Sequence, residues 1–321
     1  MMETFYSVRK LFYIIIAFSG VPVNVVAIAI LSRGKCGLST CICRYLLGMA
    51  AADLLSVVTA VILRRISFYF PATFLEIYPI CSVIFYLMGV SKDCSVWFTV
   101  TFSFDRFILI CCERLKTKYC TRKTADLVLG ITGLLLLFKN VPFCFIFQPR
   151  EIINHVPWYC NVINDYYSEP GWLILTKLDK VLTPLLPFIL ILLFNILTVR
   201  HILVASRVRR ALRVQSKGEN QNDPEMESRR RSIVLLFTIS GCFILLWLTT
   251  VLDFLYCNIA GKNPNDYNDS EYIFSQLGYM LQNLSLCINT FIYVVTQAKF
   301  RQAFVNAVQY LLSSLLRVIR T

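Results

Sequence analysis

The sequence predicts an all-α membrane protein, a bundle of seven transmembrane helices followed by an amphipathic helix. Of its 321 residues, 57% are hydrophobic, and its mean hydropathy is +0.62, whereas soluble domains are roughly half apolar. A helix needs about 20 apolar residues to cross about 30 Å of hydrocarbon. Seven stretches have that length, and they define spans one to seven: residues 11–31, 44–63, 79–110, 125–147, 176–199, 232–257 and 272–296.

The distribution of charge predicts how the bundle is oriented. The formal net charge is +13, and the basic residues cluster after span one, after span three and between spans five and six, in ranges 33–35, 114–123 and 207–231. These connections share one side of a seven-span chain, which the positive-inside rule makes cytoplasmic. We therefore expect a multi-pass plasma-membrane protein with an extracellular amino terminus and a cytoplasmic carboxyl terminus. Acidic lipid headgroups are secondary partners, and nucleic acid is not expected to be one.

The segment after span seven, residues 299–321, predicts an amphipathic helix on the inner membrane surface. Phe300, Phe304, Val308 and Leu312 recur at four-residue spacing, which places them on one helical face. A short soluble tail is the alternative.

Two covalent modifications are expected on the outer side. Thirteen cysteines and two histidines lack metal-ligand spacing, so no metal centre is predicted from them. Cys81 begins span three and Cys160 follows span four, both on the outer side, and we expect them to form a disulfide. Asn268-Asp269-Ser270 is a glycosylation sequon in the last outer loop. Its nearness to span seven leaves both the modified and the unmodified state open.

Ionised residues inside the spans mark the candidate functional sites. Asp105-Arg106-Phe107 lies near the end of span three, where each charge costs roughly 2.5–3.5 kcal/mol on insertion scales. The alternative is a pair of interfacial charges that merely flank a span. Asp53 is a lone carboxylate in span two, which needs a counter-charge or polar partners. Because Asp53 and Asp105 are separated by a helix reversal, no paired-carboxylate site is apparent, and no enzyme activity is predicted.

The order of these landmarks resembles that of class A, rhodopsin-like G-protein-coupled receptors over essentially the whole chain. The short segments 50–53 and 236–240 are most similar to those of the orphan group of G-protein-coupled receptor 139-like proteins. The landmarks are Gly20 and Asn24 in span one, Asp53 in span two, Cys81 to Asp105-Arg106-Phe107 in span three, Pro187 in span five, Trp247 in span six, Asn289-Thr290-Phe291-Ile292-Tyr293 in span seven, and the helix containing Phe300.

The resemblance implies an activation switch that couples to a heterotrimeric G protein. Arg106 would pair with Asp105 at rest and be released toward the G protein on activation. The switch residues implied are Asp105, Arg106, Phe107, Trp247, Asn289 and Tyr293.

The resemblance also implies a sodium pocket as the only cofactor site. Ser95, Ser285 and Asn289 would surround Asp53, because carboxylate, hydroxyl and amide oxygens suit a hard cation. Those side chains could equally hold only water.

Five residues depart from the family pattern, and one of them is Ser285, where many relatives have an asparagine. At the position of Arg229, many relatives have an acidic residue. That residue forms a second restraint on the arginine that corresponds to Arg106. Thr249 and Thr290 replace prolines, so spans six and seven are expected either to bend less or to bend through threonine hydrogen bonds. Asn195 replaces an inner-half tyrosine of span five.

Ionisable residues in the outer half suggest a pocket for a zwitterionic or charged ligand, and the resemblance suggests an aromatic amino acid or a peptide. A purely structural Lys92/Asp179 ion pair is the alternative. Trp97 would form an aromatic wall, or face lipid or a neighbouring helix. Span six offers no basic residue near Trp247 to receive a carboxylate. The candidate ligand-binding residues are Lys92, Asp93, Asp179, Lys180, Trp247, Asp253 and Asn283.

Two other membrane functions are considered. A light sensor is disfavoured because Asn283 occupies the position of the Schiff-base lysine. A multi-span transporter could use the intramembrane charges, but it would not require Arg106 at a cytoplasmic helix end.

Overall fold

The structure is a computed structural model in which residues 2–34, 38–66, 69, 73–215, 224–262 and 266–320 are described. It is mostly α-helical. The helices that form spans one to seven are Met2–Ser32; Thr40–Ser56, continued by the π-helical turns Val57–Ile66; Ile80–Cys111; Arg122–Asn140; Pro170–Lys180 together with Leu186–Gln215; Pro224–Ala260; and Asp269–Thr296.

Six of these helical segments are long and apolar enough to cross a membrane, the first starting at Met2 and the last ending at Ala260. The helix of span seven has 28 residues, and the amides of Gln282, Asn283 and Asn289 lower its hydropathy. It packs against spans six and one, so it completes the bundle. The predicted all-α seven-helix architecture is confirmed.

Small residues allow two close approaches between spans. A Cβ atom at Gly20 of span one would lie 2.9 Å from the sulfur of Cys287 in span seven. A Cβ atom at Gly278 of span seven would lie 3.0 Å from the hydroxyl of Thr250 in span six. Close packing at small residues is typical of membrane helices, because hydrocarbon offers no hydrophobic force to hold them together.

Span five is interrupted in its outer part. Thr183 has the extended backbone angles φ −151° and ψ 109°, and Pro184 follows it without an N–H to donate. Pro187 lies in the first turn of the next helix, Leu186–Gln215.

Spans six and seven are continuous helices at the positions where the family pattern has proline. In the described part of the chain, the Thr290 hydroxyl is buried without a hydrogen-bond partner, and the Thr249 hydroxyl forms no hydrogen bond. Bending through threonine hydrogen bonds, one of the two expectations, is therefore not seen.

A β-hairpin covers the outer side between spans four and five. Strand β1, Phe147–Ile153, pairs in antiparallel fashion with strand β2, Val156–Val162. Asn154 and His155 join them with φ angles of 51° and 64°, the left-handed values that a two-residue hairpin turn requires.

A disulfide joins Cys160 of β2 to Cys81 at the outer end of span three, with 6.0 Å between the Cα atoms. The predicted disulfide is confirmed. It fixes the hairpin to the helix whose other end carries the Asp105-Arg106-Phe107 motif.

The last helix, Ala298–Arg320, follows span seven after a break at Gln297, whose φ and ψ are −120° and 102°. Phe300 is fully buried, and its ring centroid lies 5.7 Å from that of Tyr293. The start of this helix is thus anchored to span seven. Its position on the inner membrane surface stays a prediction.

Candidate functional site

The charged pair of span three lies inside the bundle. Asp105 and Arg106 form an ion pair and are both fully buried. The Cys41 thiol donates to Asp105 Oδ1 at 3.4 Å, and the Phe102 ring centroid lies 5.7 Å from Arg106 Cζ. Both charges are therefore enclosed by neighbouring helices, unlike interfacial charges that merely flank a span.

Aromatic and polar groups surround this pair. Phe107 stacks on Phe194 of span five with ring centroids 5.9 Å apart. Asn195, the next residue, is buried and accepts a hydrogen bond of 3.1 Å from the Ser240 hydroxyl, so it links span five to span six. The expected absence of an acidic lock at Arg229 concerns a side chain outside the described residues, and it stays a prediction.

The other predicted switch residues lie along spans six and seven. Trp247 is buried and stacks on Phe243 with ring centroids 5.2 Å apart. Asn289 reaches across to Asp53 of span two. Tyr293 is fully buried against Phe300.

Asp53 is satisfied by neutral donors from two other spans. The Ser95 hydroxyl donates to Asp53 Oδ1 at 2.5 Å, and Asn289 Nδ2 donates to Asp53 Oδ2 at 2.8 Å. The Ser285 hydroxyl donates instead to the Gln282 carbonyl at 2.6 Å. Direct hydrogen bonds thus link Asp53, Ser95 and Asn289, three of the four residues that are predicted to bind sodium.

A cavity lies beside Asp53, between span three and spans six and seven. Its lining includes Ser95, Ser285 and Asn289, with Trp247 and Phe243 on the span-six side. Carboxylate, hydroxyl and amide oxygens next to a cavity fit a hard cation such as sodium. The residues present are therefore compatible with the ion.

A three-residue ion network occupies the outer half of the bundle. Lys139 Nζ of span four lies 2.7 Å from Asp93 Oδ2 and 2.6 Å from Asp179 Oδ1. Asn140 Nδ2 also donates to Asp93 Oδ2 at 2.7 Å. The network joins spans three, four and five. The suggested Lys92/Asp179 ion pair is wrong, because Lys139 is the cation bound to Asp179.

Lys139 was missed by sequence reasoning, although a lysine within the apolar span four is itself an expensive and therefore informative residue. A glycine makes room for the network. A Cβ atom at Gly89 would lie 2.6 Å from Asn140 Oδ1, so any larger residue would displace the amide that binds Asp93.

Lys92 points toward aromatic rings. Its Nζ lies 5.6 Å from the ring centroid of Trp247 and 5.7 Å from that of Tyr279. Span six itself has no basic residue near Trp247, as expected, and span three supplies the nearby cation instead. Trp97 donates to the Thr183 hydroxyl at 3.3 Å, so it faces a neighbouring helix.

The remaining candidate ligand-binding residues lie on spans five to seven. Asp253 accepts hydrogen bonds of 3.0 Å from Tyr267 and of 3.0 Å from Ser275. Asn283 donates to the Tyr279 carbonyl at 2.7 Å, within its own helix. Lys180 follows Asp179 directly and forms no ion pair among the described residues.

A second polar cluster, also unforeseen from the sequence, closes the outer end of span one. Arg9 is buried and donates to the Tyr69 hydroxyl at 3.2 Å, to the Tyr272 hydroxyl at 2.9 Å and to Gln276 at 3.0 Å. Asn268 caps the helix of span seven by accepting from the Glu271 N–H at 2.9 Å. Its glycosylation stays a prediction.

Comparisons with known proteins agree with this arrangement. The family described as 7 transmembrane receptor (rhodopsin family) matches residues 23–293. The chain is 21% identical over 318 residues to the FMRFamide receptor of Drosophila melanogaster, covering 90% of this chain and 52% of that protein. It is 24% identical over 300 residues to neuropeptide receptor 22 of Caenorhabditis elegans, covering 92% of this chain and 68% of that protein.

The chain therefore spans about half the length of the FMRFamide receptor that it resembles. These relatives do not confirm the finer resemblance to the 139-like group. The match of the family over most of the chain, on a helical bundle with the disulfide and the buried Asp105–Arg106 pair, is sufficient for the broader assignment. The chain belongs to the rhodopsin family of seven-transmembrane receptors, which are multi-pass plasma-membrane proteins and not enzymes.

Proposed function

We propose that this receptor binds an extracellular peptide in the outer half of its bundle and then activates a heterotrimeric G protein at its inner end. In this proposal the amino terminus is extracellular, and the basic ranges 114–123 and 207–213 face the cytoplasm. The names of the two relatives, an FMRFamide receptor and a neuropeptide receptor, support a peptide over a single aromatic amino acid.

The observation that carries the proposal is the arrangement along span three. This one helix bears the disulfide at Cys81, the candidate ligand residues Lys92 and Asp93, and the buried Asp105–Arg106 pair near its inner end. The rise from Cys81 to Arg106 is about 38 Å, which is enough to cross the hydrocarbon core. A change at the outer pocket can therefore reach the inner end through one rigid element.

The ligand would act by selecting a conformation in which the inner ends of spans five and six separate. The Asn195–Ser240 hydrogen bond joins these spans at the inner half, and it would break in that movement. Arg106 would then leave Asp105 and contact the G protein.

Sodium would act as an allosteric modulator in this scheme. Asp53, Ser95, Ser285 and Asn289 would hold the ion, whose positive charge would compensate the carboxylate in the resting conformation. A displacement of spans six and seven would alter the cavity that these residues line.

A G-protein dissociation assay in cells tests the function. Cells expressing wild type or Arg106→Ala are exposed to a panel of short synthetic peptides and of aromatic amino acids. We expect at least one peptide to activate wild type, while Arg106→Ala shows no response at equal surface expression. Arg150→Ala, an exposed change in strand β1, is the control that should respond like wild type.

If no ligand causes G-protein activation and the same cells show uptake of ions or amino acids, the transporter interpretation replaces this one. If single aromatic amino acids activate the receptor and peptides do not, the peptide assignment is wrong while the receptor assignment stands.

A further inference from the structure

We infer that the ligand presents a carboxylate to a cluster of three cations, Arg65 and Lys92, which face the ring of Tyr279, and the neighbouring Lys180. We refer to these four residues as the outer cationic cluster. The inference rests on the proposed peptide-receptor function and deepens it, because it names the chemical group that the pocket binds.

The ring of Tyr279 faces cations from spans two and three, and a third cation lies in span five. Arg65 Cζ of span two lies 5.8 Å from the ring centroid, and Lys92 Nζ of span three lies 5.7 Å from it. Lys180, at the outer part of span five, repels Lys92 and is attracted by Asp179 and Asp253. Cation–π contacts lower the cost of placing these charges in the bundle, but they do not neutralise them.

None of the three cations has a carboxylate partner in the part of the chain that the structure describes. Lys92 experiences repulsion from Lys180 and Arg65. The two carboxylates that attract it, Asp93 and Asp179, are both bound to Lys139. These two carboxylates therefore compensate the charge of Lys92 only in part, because Lys139 lies closer to them.

The charges of the outer pocket do not balance. Its cations are the three of the outer cationic cluster and Lys139, and the carboxylates facing them are Asp93, Asp179 and Asp253. Among these residues, four positive charges face three negative ones, and the adjacent Arg64 and Arg9 add further positive charge. A ligand carboxylate would reduce this excess, whereas a neutral ligand would leave it in a low-dielectric site.

A neutral donor is also available next to the cluster. Gln282 follows Tyr279 by three residues, one turn along the same helical face. It is 4% exposed, and its Nε2 has no hydrogen-bond partner among the described residues. A buried amide donor without an acceptor is costly, and a carboxylate oxygen is the acceptor that would satisfy it together with the cations.

The outer cationic cluster therefore differs from the Lys139 network in what it lacks. Lys139 has its carboxylates within the protein and needs nothing from a ligand. Lys92 and Gln282 Nε2 have no complementary group of their own among the described residues, and a carboxylate supplies it to both. The carboxylate could come from the free end of a peptide or from an acidic side chain, and the experiment distinguishes these sources.

The first experiment needs no ligand. Thermal midpoints are measured for purified wild type, Lys92→Met, Lys180→Met and Lys139→Met, each keeping the length of the apolar stem. We expect Lys92→Met and Lys180→Met to melt at or above the wild-type temperature, because they remove a charge without a partner. Lys139→Met should melt lower. Equal losses for Lys92→Met and Lys139→Met would show that Lys92 is structural and would overturn the inference.

The second experiment uses matched probes at millimolar concentration. N-acetyl-phenylalanine tests a free carboxyl end against its amide, and N-acetyl-Phe-Glu-amide tests an acidic side chain against its Gln counterpart. We expect one carboxylate probe of these pairs to raise the thermal midpoint of wild type, and the apparent affinity to fall about tenfold or more in Lys92→Met. The pair that responds identifies the source of the carboxylate.

Shifts that are equal for acid and amide, or absent for both carboxylate probes, would contradict the inference. The thermal measurement does not involve a G protein. A carboxylate-specific shift in a chain that activates no G protein would therefore refute the proposed function and leave the anion site in place.

Discussion

The outer and inner halves of the bundle each bury an ion pair, but they place the partners differently. In the outer half, Lys139 of span four binds Asp93 of span three and Asp179 of span five. In the inner half, Asp105 and Arg106 are consecutive residues of the same helix. The outer ion network joins helices, whereas the inner pair lies within one.

This difference indicates which role suits the outer ion network and which suits the inner ion pair. An ion pair that crosses three spans must be intact for those spans to remain packed, because breaking it leaves a charge in low dielectric. A pair within one helix adds nothing to the contact between helices, so Arg106 can change partners while the helix stays folded. The outer network is suited to architecture and the inner pair to switching.

Removing Lys139 should have the largest effect. Lys139→Met leaves Asp93 and Asp179 buried without their cation, and we expect the free energy of unfolding to fall by ~3 kcal/mol or more. The thermal midpoint of the purified receptor and its surface expression measure this loss.

The neutral combination Asp93→Asn with Asp179→Asn serves as the control for Lys139→Met. Added to Lys139→Met, it should recover most of the lost stability, because no charge remains without a partner. If Lys139→Met melts like wild type, the network does not hold the three spans together.

The switch should respond differently to the loss of its carboxylate. Asp105→Asn removes a charged hydrogen-bond partner worth ~2 kcal/mol from Arg106, which corresponds to about a 30-fold shift toward the active conformation. We expect raised ligand-free G-protein dissociation at matched surface expression. Asp126→Asn, a partly exposed carboxylate at the inner end of span four, is the control.

Basal activity of Asp105→Asn no higher than that of wild type would remove Asp105 from the resting restraint on Arg106.

The contact between spans five and six offers a smaller effect. The Ser240 hydroxyl also donates to the Leu236 carbonyl at 2.5 Å, so Asn195→Ala deletes only its contact with span five. A neutral hydrogen bond is worth at most ~1 kcal/mol, so ligand-free signalling should rise by up to about fivefold. Ser240→Ala should act alike, and the double variant should add nothing further if both changes remove one interaction. Additive increases in basal signalling would indicate that the two residues act separately.

The sequence allowed the helical architecture to be predicted because hydropathy and charge asymmetry are local properties of the chain. The same applies to the disulfide, since topology placed both cysteines on one side. Asp53 was recognised for a related reason, because a lone carboxylate in an apolar span requires partners. These features need no knowledge of how the helices rotate against one another.

The partners of the outer charges could not be predicted, because they depend on which helical faces meet. Lys139 and Asp179 are forty residues apart in the chain, and only the packing of span four against spans three and five brings them within 2.6 Å. The proximity of Lys92 to Trp247 has the same origin. Arg9 was overlooked because its neutral partners, Tyr272 and Gln276, carry no charge that sequence reasoning could match.

The smallest effect should come from an ion pair that is as close as the Lys139 network but more exposed. Arg44 of span two pairs with Asp126 of span four at the inner side, and their side chains are 34% and 37% exposed, whereas those of Lys139 and Asp93 are 16% and 7% exposed. Arg44→Met should therefore lower the free energy of unfolding by only ~0.5 kcal/mol, because water solvates the remaining carboxylate. The drop in thermal midpoint, measured beside Lys139→Met, checks this expectation. A loss for Arg44→Met as large as that for Lys139→Met would mean that burial does not set the difference between the two halves, and that the architectural role assigned to the outer network extends to the inner side.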